Sequence, residues 1–124
     1  MIRYFCLFSF LISLFIFSCS SDKLPAVTQL ELCDTETFTY DIQVKEIINR
    51  TCSYSGCHDS GGSAPGNFNS YETMDNFLTE NKFEKRVVDQ QNMPDPNDVL
   101  PEKLLTSEEL EILTCWVQQG YLEN

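Results

Sequence analysis

The chain has 124 residues, and its 19 acidic and 8 basic side chains give a formal net charge of −11 at pH 7. That length accommodates one small domain and excludes two. The acidic balance argues against nucleic acid as a partner and would steer basic proteins toward the surface.

Residues 1–18 predict the signal peptide of a bacterial lipoprotein. Arg3 precedes a run from Tyr4 to Phe17 in which every residue is apolar, aromatic or Ser, typical of a secretory signal and too short to predict a membrane span. The run ends in Ile16-Phe17-Ser18-Cys19, which resembles a lipoprotein cleavage box, so Cys19 is the predicted lipidation site. Acyl chains there would anchor the protein to a membrane. The alternative is an ordinary signal peptide that is cut elsewhere.

Residues 19–35 are predicted to be the lipidated N-terminus and a tether. They are polar, contain Pro25 and have few periodic apolar residues. The folded domain is predicted to occupy residues 36–124. Its first helix opens at Asp41, because Val44, Ile47 and Ile48 recur at helical spacing. This helix runs directly into Cys52.

The segment from Cys52 to His58 indicates a site for covalent attachment of haem. The usual signature is CxxCH, in which both thiols bond to the haem and the His binds iron. Here the spacing is CxxxxCH, and His58 is the single histidine of the chain. The two extra residues must bulge between Cys52 and Cys57, which the small intervening residues allow, and Gly56 can take a positive φ. As in the usual signature, the histidine directly follows the second cysteine, which would place the imidazole beneath the porphyrin.

Three other interpretations of this segment stay open. Cys52 and Cys57 could form a disulfide that closes a small loop of an exported domain. Alternatively, they could bind zinc, although zinc prefers four ligands and the chain offers one His and no second close Cys pair. The third is that the spacing arose by chance.

The next stretch is predicted to be an irregular loop followed by two short helices. Residues 53–69 contain Gly61, Gly62, Pro65 and Gly66, a composition that bars regular structure, and this loop would wrap the haem edge. Ser70 is a candidate N-cap for a helix whose apolar residues are Tyr71, Met74, Phe77 and Leu78. A second helical segment follows Asn81 and carries Phe83, Val87 and Val88.

Met93 is the candidate sixth ligand of the iron. It lies in Asn92-Met93-Pro94-Asp95-Pro96, where the two prolines bar a helix and the setting is polar. A thioether is a soft ligand, and Met opposite His raises the reduction potential of a haem. Met74 is the rival, but its helical spacing with Phe77 and Leu78 favours a packing role.

The last helix is the best-marked element. Thr106 and Glu109 form a capping box, and Gly120 supplies a stop. Leu110, Leu113 and Val117 share one face. Trp116 lies near that face, where it would pack on the haem or on the Ile47 and Ile48 helix.

The remaining cysteines predict a disulfide. Cys6 would leave with the signal peptide. With Cys19 lipidated and Cys52 and Cys57 bonded to haem, Cys33 and Cys115 remain in the mature chain as a pair for an oxidising compartment. The bond would tie the start of the domain to its last helix. The alternative is two separate free thiols.

In this order, the landmarks resemble small c-type cytochrome domains of exported lipoproteins from Bacteroidetes-like bacteria. The segments that carry the resemblance are YDIQVKEIINRTC, GCH, NFNSYETM, the Met93-Pro94 pair and LTSEELEILTCWVQQG. It implies an all-α, class I-like cytochrome c fold with about three to five short helices and long loops around one haem. It also implies one haem c bound through Cys52 and Cys57, with His58 and Met93 as the iron ligands. The departure is the insertion between the cysteines.

The function expected from the resemblance is that of a monohaem electron carrier. Such a lipoprotein would pass single electrons between a donor and an acceptor with basic docking surfaces, in the periplasm or at the outer membrane. It would not be an enzyme, because His58 and Met93 leave no open position on the iron. A redox sensor is a further possibility. The alternative from a different functional class is a structural or interaction lipoprotein without haem, held together by Cys52–Cys57 and Cys33–Cys115 disulfides.

Overall fold

The computed structural model describes residues 29–124. Helices account for 52% of this part of the chain, and it contains no strand, so the prediction of an all-α fold is confirmed. The predicted signal peptide and the lipidation site Cys19 lie outside the described residues. Within residues 29–124, no helix combines the length and the apolar character needed to cross a membrane.

Four α-helices form the frame of the domain within residues 29–124. They are α1 (Gln29–Thr35), α2 (Lys45–Thr51), α3 (Tyr71–Thr79) and α4 (Ser107–Gln118). Two π-helices and one 3-10 helix complete the secondary structure, spanning Tyr40–Val44, Glu84–Asp89 and Pro101–Lys103. The first π-helix leads directly into α2, so residues 40–51 form one helical stretch that ends at Cys52, as the sequence predicts.

Two capping boxes fix the starts of the longest helices. The Ser70 hydroxyl accepts a hydrogen bond from the Thr73 amide, and Thr106 accepts one from the Glu109 amide. In return, Thr73 and Glu109 accept from the amides of their cap residues. These bonds satisfy amides that have no partner inside the helix. Gly120, at φ +84°, follows the end of α4.

Residues 29–35, the described part of the segment predicted to be a tether, form α1 and are joined to α4. Cys33 of α1 forms a disulfide with Cys115 of α4. The Gln119 side chain strengthens this junction, because its amide nitrogen donates to the carbonyl oxygens of Cys33 and Glu36 at 2.8 and 2.7 Å. Its oxygen accepts from the Phe38 amide. The described domain thus includes residues 29–35.

Trp116 lies at the centre of the core. It is fully buried, and its indole nitrogen donates to the carbonyl oxygen of Leu122 at 2.8 Å. Its neighbours are aromatic, with Tyr121, Phe83, Tyr40 and Tyr71 at ring-centroid distances of 5.1 to 6.4 Å. Trp116 therefore packs on an aromatic cluster, and Phe83 is the member that reaches the cavity described below.

Arg50 fixes the end of α2 against the last third of the chain. Its guanidinium donates to the carbonyl oxygens of Glu102 and Leu104 and to the carboxylate of Glu109. Burial pushes the pKa of Glu109 upward, but hydrogen bonds from Thr106 and Arg50 outweigh it and hold that pKa below its usual value. Because Cys52 comes two residues later, this link also holds the start of the candidate site.

Candidate functional site

The four residues predicted to bind haem line one cavity of about 620 Å³. Cys52, Cys57, His58 and Met93 all contribute to its wall, although Met93 lies 35 or more residues from the others in the chain. The volume is within the range of about 300–1,000 Å³ that is usual for small-molecule and cofactor sites. The fold thus gathers the predicted residues around one space.

The CxxxxCH segment closes into a compact loop despite its two extra residues. The His58 amide donates to the Cys52 carbonyl oxygen at 3.0 Å, and the Cys57 amide donates to Tyr54 at 3.0 Å. Gly56 takes φ +93°, the left-handed conformation that the sequence predicts for it. The insertion therefore bulges outward while the two cysteines remain on the cavity wall.

His58 is held by a hydrogen bond and a stacked ring. Its Nδ1 atom lies 2.9 Å from the carbonyl oxygen of Pro65, and its ring stacks on Phe68 with 4.2 Å between centroids and 6° between planes. A carbonyl oxygen can only accept, so Nδ1 carries the proton and Nε2 keeps its lone pair. Burial lowers the pKa of His58, against the opposing effect of the Pro65 bond. A neutral imidazole with a free Nε2 is the form that binds a metal.

Cys52 and Cys57 are free thiols in the structure, whereas Cys33 and Cys115 are bonded to each other. A disulfide between Cys52 and Cys57, which was one of the alternatives that the sequence allowed, is not formed in the structure. Cys52 is only 7% exposed, and burial raises the pKa of its thiol to about 11 despite the opposing Thr51 contact. A buried neutral thiol is a poor partner for disulfide exchange, which needs a thiolate.

Tyr54 is a site residue that the sequence did not single out. Burial, followed by a hydrogen bond to Cys57, raises the pKa of the Tyr54 hydroxyl to about 12. The ammonium group of Lys103 lies 4.7 Å from the centre of its ring. Tyr54 thus packs beneath Lys103 and interacts with the second cysteine from outside the cavity.

Met93 and Met74 occupy different environments. Met93 is half-buried and lines the large cavity as well as a smaller one of about 190 Å³ beside it. Met74 is completely buried among the core side chains and does not line either cavity. Of the two methionines, Met93 is the one that a ligand in the large cavity can reach.

The rest of the cavity wall is apolar on one side and charged at its rim. Phe68, Phe77, Phe83 and Val87 supply apolar surface. Phe77 packs closely on the loop, because a Cβ built on Gly66 would lie 2.2 Å from its ring. The charged residues are Lys82, Arg86, Asp95 and Asp98, none of which the sequence pattern indicated.

These residues fit a covalently bound haem. Two free thiols, an imidazole with its Nε2 lone pair free and a reachable thioether face a cavity with aromatic walls. Within residues 29–124, no group of three or more His, Cys, Asp or Glu residues is placed to hold a metal ion through those side chains alone.

Comparisons with protein-family models, curated proteins and solved structures give no match.

Proposed function

We propose that the protein is a monohaem c-type cytochrome, anchored by lipid at the cell envelope, that carries single electrons between larger redox proteins. The observation that carries the proposal is the convergence of Cys52, Cys57, His58 and Met93 on one cavity of about 620 Å³. A class I-like cytochrome c fold is part of the proposal, and the all-α architecture is consistent with it. A bound haem supplies an iron that gains and loses one electron.

Each residue of the site has a distinct part in this proposal. Cys52 and Cys57 would hold the porphyrin through thioethers, and His58 would bind iron through Nε2 while Pro65 fixes the ring. Met93 would take the sixth position, where a thioether favours the ferrous state. If His58 and Met93 both bound the iron, they would leave it no position for a substrate, which favours an electron carrier over an enzyme.

Aromatic side chains would keep water away from this centre. Phe68 lies against the His58 ring, and Phe77 meets both rings edge-on, at 6.3 Å from His58 and 5.1 Å from Phe68. A water-poor surrounding restrains the iron ligands and limits solvent reorganisation during electron transfer.

The location and partners follow from the sequence. Lipid on Cys19 would anchor the domain to a membrane of the cell envelope, in the periplasm or at the outer membrane. The net charge of −11 would attract electron donors and acceptors with basic docking surfaces and make the association sensitive to salt.

The proposal is tested by expressing the full chain in a periplasm that has cytochrome c assembly proteins. A denaturing gel with haem stain reports covalent attachment, and a reduced-minus-oxidised visible spectrum reports the spin state. Stain at the mass of the chain with a sharp low-spin spectrum is expected. The same chain expressed without the assembly proteins is the control. A colourless protein under both conditions would instead favour the haem-free lipoprotein.

A further inference from the structure

Residues 82–89, which are helical and include the π-helix Glu84–Asp89, carry two basic side chains that line the haem cavity. Lys82 and Arg86 are four residues apart, and both line the cavity, as do Phe83 and Val87, the residue that follows each. Phe83 and Val87 are buried, whereas Lys82 and Arg86 are exposed. The segment therefore lines the cavity with two buried apolar side chains and two exposed cations.

Neither cation is committed to a strong partner. Arg86 forms no ion pair and its side chain forms no hydrogen bond within residues 29–124. Lys82 pairs with Glu80, but both side chains are more than half exposed, and such pairs contribute little. The ammonium group of Lys82 also lies 5.6 Å from the centre of the Phe77 ring, which holds it at the cavity.

Two carboxylates also line the cavity, so its wall carries negative as well as positive charge. Asp95 and Asp98 follow the Met93-Pro94 pair and belong to the cavity wall. The Asp95 carboxylate is engaged in its own turn, where it accepts from the backbone and side-chain nitrogens of Asn97 at 2.9 and 3.0 Å. An anionic group of a ligand is thus repelled on this side and attracted by Lys82 and Arg86.

We infer that Lys82 and Arg86 bind the carboxylate groups of the haem, whose orientation the thioethers to Cys52 and Cys57 would set. A haem has two carboxylates on one edge, and an Arg guanidinium can bind a carboxylate through two parallel hydrogen bonds. This inference rests on the proposed function. The chain is acidic overall, yet three of its eight basic residues are Lys82, Lys85 and Arg86.

Lys85 supplies a matched control. It lies between the two proposed ligands in sequence and is exposed, but it does not line the cavity. K85Q and R86Q each remove one positive charge from neighbouring positions of the same helix. A general effect of surface charge would therefore be similar in both variants.

The test compares K82Q, R86Q, K85Q and R86K in the full chain, purified with haem attached. Haem stain and circular dichroism check loading and folding. In K82Q and R86Q, the resonance Raman bending bands of the haem carboxylates are expected to shift. The midpoint potential is expected to move to more negative values than in K85Q, because a carboxylate that has lost its cation stabilises ferric iron. R86K is expected to restore part of both effects.

Two outcomes would overturn the inference in different ways. If the haem is attached but K82Q and R86Q match K85Q in Raman bands and potential, the two side chains do not bind its carboxylates. If these two variants also transferred electrons more slowly to an acidic partner protein, Lys82 and Arg86 would be assigned to a docking surface instead. A wild-type protein without haem would overturn the proposed function and this inference together.

Discussion

The Nδ1 atom of His58 lies 2.9 Å from the carbonyl oxygen of Pro65, seven residues further along the chain. The Phe68 amide closes the same loop by donating to the His58 carbonyl oxygen at 2.8 Å. The Gly-rich segment between them thus folds back on the histidine and fixes both its tautomer and its orientation. An iron ligand needs both.

Substitution of Gly66 tests whether this loop positions His58. Gly66 has φ +93°, and an added Cβ would lie 2.2 Å from the Phe77 ring. G66A should therefore destabilise the protein by about 2 kcal/mol in urea unfolding, through backbone strain and overpacking. In the haem-loaded protein it should also perturb the low-spin spectrum. G61A is the control, because a Cβ there meets nothing within 4 Å. Equal stability of the two variants would contradict this account of the loop.

Removal of Met93 tests the sixth ligand. M93A should convert the haem to a high-spin form that binds carbon monoxide or imidazole rapidly, and should lower its midpoint potential, because the thioether that favours ferrous iron is lost. M74L is the matched control. Met74 is fully buried outside the cavity, and a change to Leu conserves its volume and should cost less than about 1.5 kcal/mol. If M74L alone changed the spectrum, Met74 would be the ligand.

Loss of the disulfide tests the link between α1 and α4. The bond joins residues separated by 82 positions, so C33A/C115A should lose about 4 kcal/mol of unfolding free energy, because the unfolded chain gains freedom. Chemical denaturation of the wild type and the variant, with and without reductant, measures this loss of stability. Reductant should destabilise the wild type and leave the variant unchanged. Wild-type stability that is insensitive to reductant, with the bond verified as broken, would contradict this role.

The Arg50–Glu109 pair predicts a specific dependence of stability on pH. The pKa of Glu109 is lower in the folded state, so its contribution is complete above its unfolded pKa of about 4.3 and is lost as the pH falls through the folded value. E109Q should lose about 1–2 kcal/mol at pH 7, through the weakened cap and ion pair, and show a shallower decline in acid. E108Q, at the exposed neighbouring position, should retain the wild-type profile. Identical profiles for the two variants would exclude this role of Glu109.

The elements that could be predicted from the sequence are those fixed by local chemistry. The N-cap at Ser70 and the capping box of Thr106 and Glu109 depend on residues close in sequence, so each can be recognised without the fold. The positive φ of Gly56 follows similarly from a loop that must bulge. The path of the chain from Asp41 to Cys52 as a helix follows from its apolar spacing.

The features that could not be predicted depend on distant partners. Helix α1 is short and polar, and its place in the domain depends on Cys115 and Gln119, more than 80 residues away. The contact of Tyr54 with Lys103 and the place of Lys82 and Arg86 on the cavity wall likewise arise only from the packing. For Met93, the sequence supplied the reason to suspect a ligand, and the packing brings it to the same cavity as His58.

The measurement that tests the central claim most directly is the intact mass of the processed, denatured protein after expression of the full chain with cytochrome c assembly proteins, compared with that of C52A/C57A processed in the same way. The account predicts a mass increased by one haem, a Cys33–Cys115 disulfide and no free thiol at Cys52 or Cys57. The increment should disappear in C52A/C57A. A mass without haem, whether Cys52 and Cys57 are free or joined to each other, would contradict the assignment as a cytochrome.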